Sequence, residues 1–166
     1  MKTAVYLTFA AISLLFASCQ NLYPRPNFRL GLHLVVSDAE RSNANSSLIV
    51  KARSLDGSKE CMVRSFPMID SKHILKIDVI RHENGKKAAL KIYFDDFAAG
   101  IWSEVTSIGE NLEVAIVVDG FISGFMELPR VLGNDMILVT PPIWSLAEAR
   151  LIAENAKRNY TIINKR

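Results

Sequence analysis

The residue with the most specific chemistry is Cys19. It closes an uncharged apolar run and opens a polar one in MKTAVYLTFAAISLLFASCQNLYPRPN. Lys2 gives a positive start, Ala4 to Ala17 carries no charge, and the small residues Ala17 and Ser18 stand directly before the cysteine. That succession is the pattern of a secretion signal. The run is shorter than the roughly 20 residues a spanning helix needs, so an uncleaved anchor is the weaker reading. Three fates are open to the Cys19 thiol: a disulfide, an unmodified side chain, or alkylation by a lipid. The third fits the spacing best, because small residues at the two preceding positions let a peptidase grip the extended chain. The box reads Phe16-Ala17-Ser18-Cys19, with phenylalanine where leucine is usual in a bacterial lipoprotein signal. Residues 1–18 are then a cleaved signal, and Cys19 carries diacylglycerol as the new N-terminus. Several acyl chains on one residue hold far more firmly than a single marginal chain.

Other chemistry-bearing residues assemble less well. With Cys19 lipidated only Cys61 is left, so no internal disulfide forms and the fold rests on its core. Cys61 lies in the strand-like KECMVRS and reads as a small buried hydrophobe, with no evident partner to activate it. His33, His73 and His82 lack the spacing of a zinc site; His73 and His82 can approach across a hairpin but have no third ligand. His33 falls on the polar face of its strand. Asp95 and Asp96 have the chemistry of acids or cation ligands, and helix capping explains them more simply. No Gly-x-Ser-x-Gly or Ser-x-x-Lys motif accompanies the serines. Asn45-Ser46-Ser47 and Asn159-Tyr160-Thr161 match the glycosylation sequon and are incidental in a bacterial lipoprotein. Trp102 and Trp144 read as packed aromatics rather than a binding surface. No catalytic, metal or cofactor-binding constellation emerges. The formal net charge of +3, with both signs scattered, describes a solvated surface and excludes a nucleic-acid footprint.

The elements that must position these residues follow the tether QNLYPRPN, where Pro24 and Pro26 favour an extended spacer over residues 19–27. Residues 28–36 alternate: Phe28, Leu30, Leu32, Leu34 and Val36 share one face of a half-buried strand. Residues 37–47 are a polar loop, 48–53 a returning strand, and CMVRSF a third strand after an LDGS turn. HILKIDVIRHENGKKAALKIYF is two apolar arms about Asn84-Gly85, residues that tolerate the positive φ of a tight hairpin. Asp95 or Asp96 then caps a helix to about Ile108, with Phe97, Ile101, Val105 and Ile108 on its apolar face. LEVAIVVDGFISGFMEL forms a second hairpin at Asp119-Gly120. Its first arm is apolar almost throughout and belongs in the middle of a sheet. Residues 136–140 add a short strand. Ser145 and Glu148 form a capping box for a helix ending near Lys157-Arg158, and NYTII has the composition of a last strand.

The order from Lys87 onward is close to the split βαβ pattern of ferredoxin-like sheets. The fold class expected is α+β, with two helices on one face of a mixed sheet. The N-terminal antiparallel strands of residues 28–70 extend it or form a small second sheet. KAALKIYFDDFAAGIWSEVTSIGENLEVAIVVDGFISGF, followed by SLAEARLIAE, resembles the head subdomain of the SecD (or SecDF) periplasmic domain. The matching features are Val105-Thr106 at the helix end, Ala115 to Gly120 as the "AIVLDG" hairpin, and Ser145 to Ala149 as the last helix start. SFPMID, residues 65–70, resembles the segment preceding that head. The family's "SAP" motif is replaced by Ser123-Gly124-Phe125-Met126, and the six membrane helices of SecD have no counterpart after the signal. The resemblance therefore implies a free-standing head over residues 71–166, without the proton-driven motor.

Two function classes follow. One is a lipid-anchored envelope binding module that meets membrane lipid through Cys19 and exported proteins or translocon components through its open strand edges. The other is a small envelope enzyme, such as a hydrolase, which would need a cleft with paired titratable groups. Gln20 after the lipid cysteine is not the aspartate that retains enteric lipoproteins at the inner membrane, which favours the outer membrane and a periplasm-facing domain.

Overall fold

The computed structural model describes residues 25–36, 48–54, 57, 59–83, 85–108, 112–129 and 136–165. The signal, Cys19, most of the tether, the loop at 37–47 and Asn84 lie outside the described residues. The fold is α+β. Its strands are β1 (Leu30–Leu34), β2 (Ile49–Arg53), β3 (Glu60–Arg64), β4 (Ile69–Asp70), β5 (Ile74–Arg81), β6 (Ala88–Phe94), β7 (Glu113–Val118), β8 (Phe121–Glu127) and β9 (Ile137–Val139). Its helices are α1 (Asp96–Ile108) and α2 (Leu146–Asn164).

The strands form three antiparallel ladders, ordered β4-β1-β7-β8, β5-β6-β9 and β2-β3. β7 is central because nearly all its side chains are apolar. Val114 and Ile116 enter the main core, while Ala115 and Val117 face a smaller cluster with Val63 and Ile122. β1 lies along β7 in full register, Leu30 opposite Val118 through Leu34 opposite Val114. The N-terminal strands and the later hairpin thus share one sheet. Leu30, Leu32, Ile69, Leu90, Ile92, Phe94, Trp102 and Ile152 meet in one core, so the first two ladders and both helices are closed on a common interior.

α1 begins where Asp95 Oδ1 accepts the Ala98 amide at 2.9 Å. Its buried face is rotated from the expected one, keeping Ile101 and Val105 against the core. Ala98 and Trp102 are buried, whereas Phe97 and Ile108 are 63% and 77% exposed. The indole decides the rotation: Trp102 buries a large ring against Phe94 and its Nε1 donates to the Pro129 carbonyl at 2.9 Å. Phe97 instead stacks on the His73 ring, with centroids 4.7 Å apart.

α2 starts with the capping box of Ser145 and Glu148. It runs through NYTII to Asn164 rather than ending near Arg158, so no last strand forms. Asn159 is completely buried; its Oδ1 accepts the Asn27 amide and its Nδ2 donates to the Asn27 carbonyl. Asn164 Nδ2 donates to the Lys72 carbonyl at 2.7 Å. These contacts hold the last turns helical against their β-branched composition.

The β5–β6 connection is wider than a two-residue turn. His82 N–H still donates to the Lys87 carbonyl, and Gly85, at φ +67°, donates back to His82. The β7–β8 connection is the two-residue turn Asp119-Gly120, at φ +48° and +87°. A bulge between Ile116 and Val117 bends this hairpin.

Candidate functional site

The β2-β3 hairpin folds onto the outer face of the β1-β7-β8 sheet. It is attached at two places: an antiparallel bridge of Val35 to Val63, and a parallel bridge of Ser54 to Ile122. Val36 N–H also donates to the Met62 carbonyl at 2.8 Å. Beyond the Ser54–Ile122 bridge, β2 and the Asp119-Gly120 turn diverge. Between them lies an open groove of about 690 Å³, lined among others by Arg29, Gly31, Val50, Arg53 and Phe121.

One wall of the groove is a free strand edge. Ser54 N–H donates to the Lys59 carbonyl and Ser65 N–H to the Leu48 carbonyl, so even-numbered residues of β2 pair with β3. By the alternation of an antiparallel ladder, the main-chain groups of Ile49 and Lys51 point the other way. No described strand pairs with them. The opposite wall carries Phe121, 62% exposed, and Val50 is 45% exposed. These are large apolar side chains at the mouth of a concave site. Gly31 forms part of the floor, where an added Cβ would meet His33 Nε2 and Pro67 Cβ at 3.3 Å. His33 is not simply solvated, because its Nδ1 bonds the Arg64 carbonyl at 2.9 Å.

The groove carries charges of both signs. Arg29, Lys51 and Arg53 line it together with Asp70 and Asp119. Both carboxylates are already engaged: Asp119 accepts the Phe28 and Arg29 amides at 2.9 and 2.8 Å, and Asp70 accepts the Lys72 amide. Lys51 pairs with Glu60 at 2.6 Å, and this bond holds the Glu60 carboxyl below its ordinary range. Arg29 and Arg53 form no close ion pair among the described residues, but Arg53 lies opposite Glu60 across the ladder and its charge also helps hold that carboxyl low.

Asp119 is thus more than a turn residue. Two successive amides across 90 and 91 positions of sequence fasten the entry to β1, with Phe28 held at φ +52°. Nothing in the local sequence signals that pairing. A second cleft of about 700 Å³ on the other side of the turn is lined by Phe28, Phe121, Ile143 and Trp144. The Trp144 Nε1 is buried with no hydrogen-bond partner among the described residues, so the cleft meets the apolar part of the ring.

The arrangement nearest to catalysis is His73 Nδ1 at 3.0 Å from Asp95 Oδ2. An oriented histidine of this kind activates a nucleophile through its other nitrogen. Here Nε2 is buried and, among the described residues, has no hydrogen-bond partner and no nucleophile against it. His73 and His82 are not brought together with a third ligand, and no group of three His, Cys, Asp or Glu among the described residues is placed to hold a metal. The Cys61 thiol is raised above its ordinary pKa, first by burial and then by the Glu113 charge, against the pull of Lys59.

No protein-family model matches the chain. No curated protein matches it either. Solved structures do. A structure of a membrane component SecDF that enhances protein export superposes with a TM-score of 0.54 at 17% identity, over 80% of this chain. The fold is SecD-like. A crystal structure of SecDF in a super-membrane-facing form superposes at 0.50 with 16% identity, over 81% of this chain. The chain spans 63% and 19% of the lengths of those two SecDF chains. Among the described residues no helix is long and apolar enough to cross a membrane.

Proposed function

We propose that this chain is a binding module of the bacterial cell envelope, anchored by lipid on Cys19, that holds extended segments of exported or envelope proteins close to the membrane. The observation that carries the reading is the open edge of β2 at the mouth of a groove with exposed apolar walls. Main-chain edges recognise extended polypeptide without demanding one sequence, which suits a protein that meets many partners. The SecD-like fold supports the reading, because one similar structure is of a membrane component that enhances protein export. Lipidation rests on Lys2, the uncharged run and Ala17-Ser18-Cys19. Outer-membrane placement rests on Gln20.

A photo-crosslinking side chain at Phe121 tests the binding role in native envelopes. Adducts with exported proteins or translocon components are expected there, and few from the same group at Ile80, which is exposed on a different ladder. Equal labelling from both positions would remove the groove from the function. Mass spectrometry of the purified protein tests the anchor: acyl chains on an N-terminal Cys19 support it, and an intact Met1 rules it out.

A further inference from the structure

Resting on the lipid-anchor part of that reading, we propose that the outer face of α2, together with Arg25, docks on anionic headgroups of the membrane that holds Cys19. Two stretches of sequence without a carboxylate meet in the fold. Residues 20–37 contain Arg25 and Arg29, and residues 155–165 contain Lys157, Arg158 and Lys165; neither stretch has an Asp or Glu. Asn159 joins them, because its side chain bonds both main-chain groups of Asn27. The segment that leads to the anchor therefore leaves the domain beside the C-terminal half of α2. Helical spacing gathers the cations there. Ala149, Ile152, Ala156 and Asn159 are buried, so the opposite face carries Arg150, Glu154, Lys157, Arg158, Thr161 and Lys165, at steps of three and four. Its four cations and Arg25 are all exposed. An open hollow of about 480 Å³ lies among Glu154, Lys157, Arg158, Thr161 and Ile162.

Neighbouring carboxylates do not cancel this charge. Glu148, at the start of α2, lies near Lys87. Asp70 accepts the Lys72 amide and Asp119 the Arg29 amide, so each stands beside a cation that is not counted here. Asp95 is bonded to the His73 ring and the Ala98 amide. Glu154 and Asp96 remain around α2, against Arg25, Arg150, Lys157, Arg158 and Lys165. The anchor decides what this surface meets. Gln20 to Pro26 reach at most about 25 Å when extended, so the exit point of the tether is held close to the membrane. Exposed Lys and Arg beside a lipid anchor are drawn to anionic headgroups by charge rather than by shape. A basic patch also supplies the second signal that makes a lipid anchor firm. α2 packs on the core side of the β1-β7-β8 sheet, and the groove opens on its other face. A docked α2 therefore leaves the groove uncovered.

The test is co-sedimentation of the full mature chain, unlipidated through Cys19→Ser, with phosphatidylglycerol or phosphatidylcholine vesicles at low salt. Binding to phosphatidylglycerol should exceed binding to phosphatidylcholine by about tenfold or more, and should fall with added salt. The triple variant Arg25→Gln, Lys157→Gln, Arg158→Gln should bind phosphatidylglycerol about a hundredfold more weakly, at roughly fivefold for each cation removed. The variant Lys76→Gln, Arg81→Gln, Lys91→Gln removes the same charge from β5 and β6 and should keep most of the binding. Circular dichroism checks the fold of both. Equal losses in the two triple variants overturn the patch and leave net charge as the cause. Equal binding to the two lipids overturns the docking surface. Either result leaves the acylation of Cys19 and the Phe121 adducts standing, because both are read by separate measurements.

Discussion

Asp119 shows what a single residue contributes beyond its own turn. Its φ of +48° suits asparagine as well as aspartate, and by that criterion Asp119→Asn is a mild change. The carboxylate, however, accepts the Phe28 amide with one oxygen and the Arg29 amide with the other. An asparagine offers one acceptor and places an NH₂ group against the second donor. Asp119→Asn should therefore destabilise by about 1 kcal/mol, the usual worth of an exposed charge-assisted bond. Gly120→Val should cost roughly 1–2 kcal/mol through backbone strain, since φ is +87° and no neighbouring atom would obstruct the new side chain. Chemical denaturation measures both. An unchanged midpoint for Asp119→Asn would show that the two amide bonds contribute nothing. Cys61 gives the second residue-scale expectation. Burial raises its thiol pKa, so alkylation at neutral pH should be slower in the folded protein than in urea. Equal rates would mean the side chain is open to solvent.

At the scale of elements, α2 carries its own pH dependence. The Ser145 hydroxyl, followed by the Ser145 amide, lowers the pKa of Glu148, while burial opposes the shift. A lowered folded-state pKa means stability that is present above the ordinary value of 4.5 and lost as pH falls through the folded value. Glu148→Ala should cost up to about 1 kcal/mol at pH 7. The gap from wild type should close in acid, and a gap constant from pH 7 to pH 2 would deny the box its role. The box was legible from Ser145 and Glu148 alone because its partners lie three positions apart. The strands were legible for the same reason: alternation and turn residues are local. The end of α2 was not. NYTII has strand composition, and its helical state rests on Asn159 meeting Asn27 across 132 positions. Spacing gives half of the α1 face: Ile101 and Val105 pack against the core, but Phe97 and Ile108 are exposed because Trp102 buries more and bonds Pro129. The groove was illegible altogether. It exists only because β2-β3 folds onto a sheet whose members β1 and β7 are distant in sequence.

For the whole molecule, the pin at Asn27 sets the geometry of anchoring. Asn159 grips both the amide and the carbonyl of Asn27, so slack in the tether ends before that residue. Gln20 to Pro26 is seven residues, which reach at most about 25 Å when fully extended. Two positions beyond the pin, Arg29 lines the groove. A lipid on Cys19 would thus hold the mouth of the groove within a short distance of its own membrane, in a thin layer where effective concentration is high. Weak edge pairing gains most from such confinement. A form carrying Cys19→Ser behind a conventional cleavable signal should fold with unchanged denaturation midpoint, since the core is built from described residues that begin at Phe28. It should nevertheless fail to complement a deletion strain at native expression, and recover as expression is raised, because added protein replaces the lost confinement. Full rescue at native expression would show that the module works by free diffusion and that the membrane contributes nothing to its encounters.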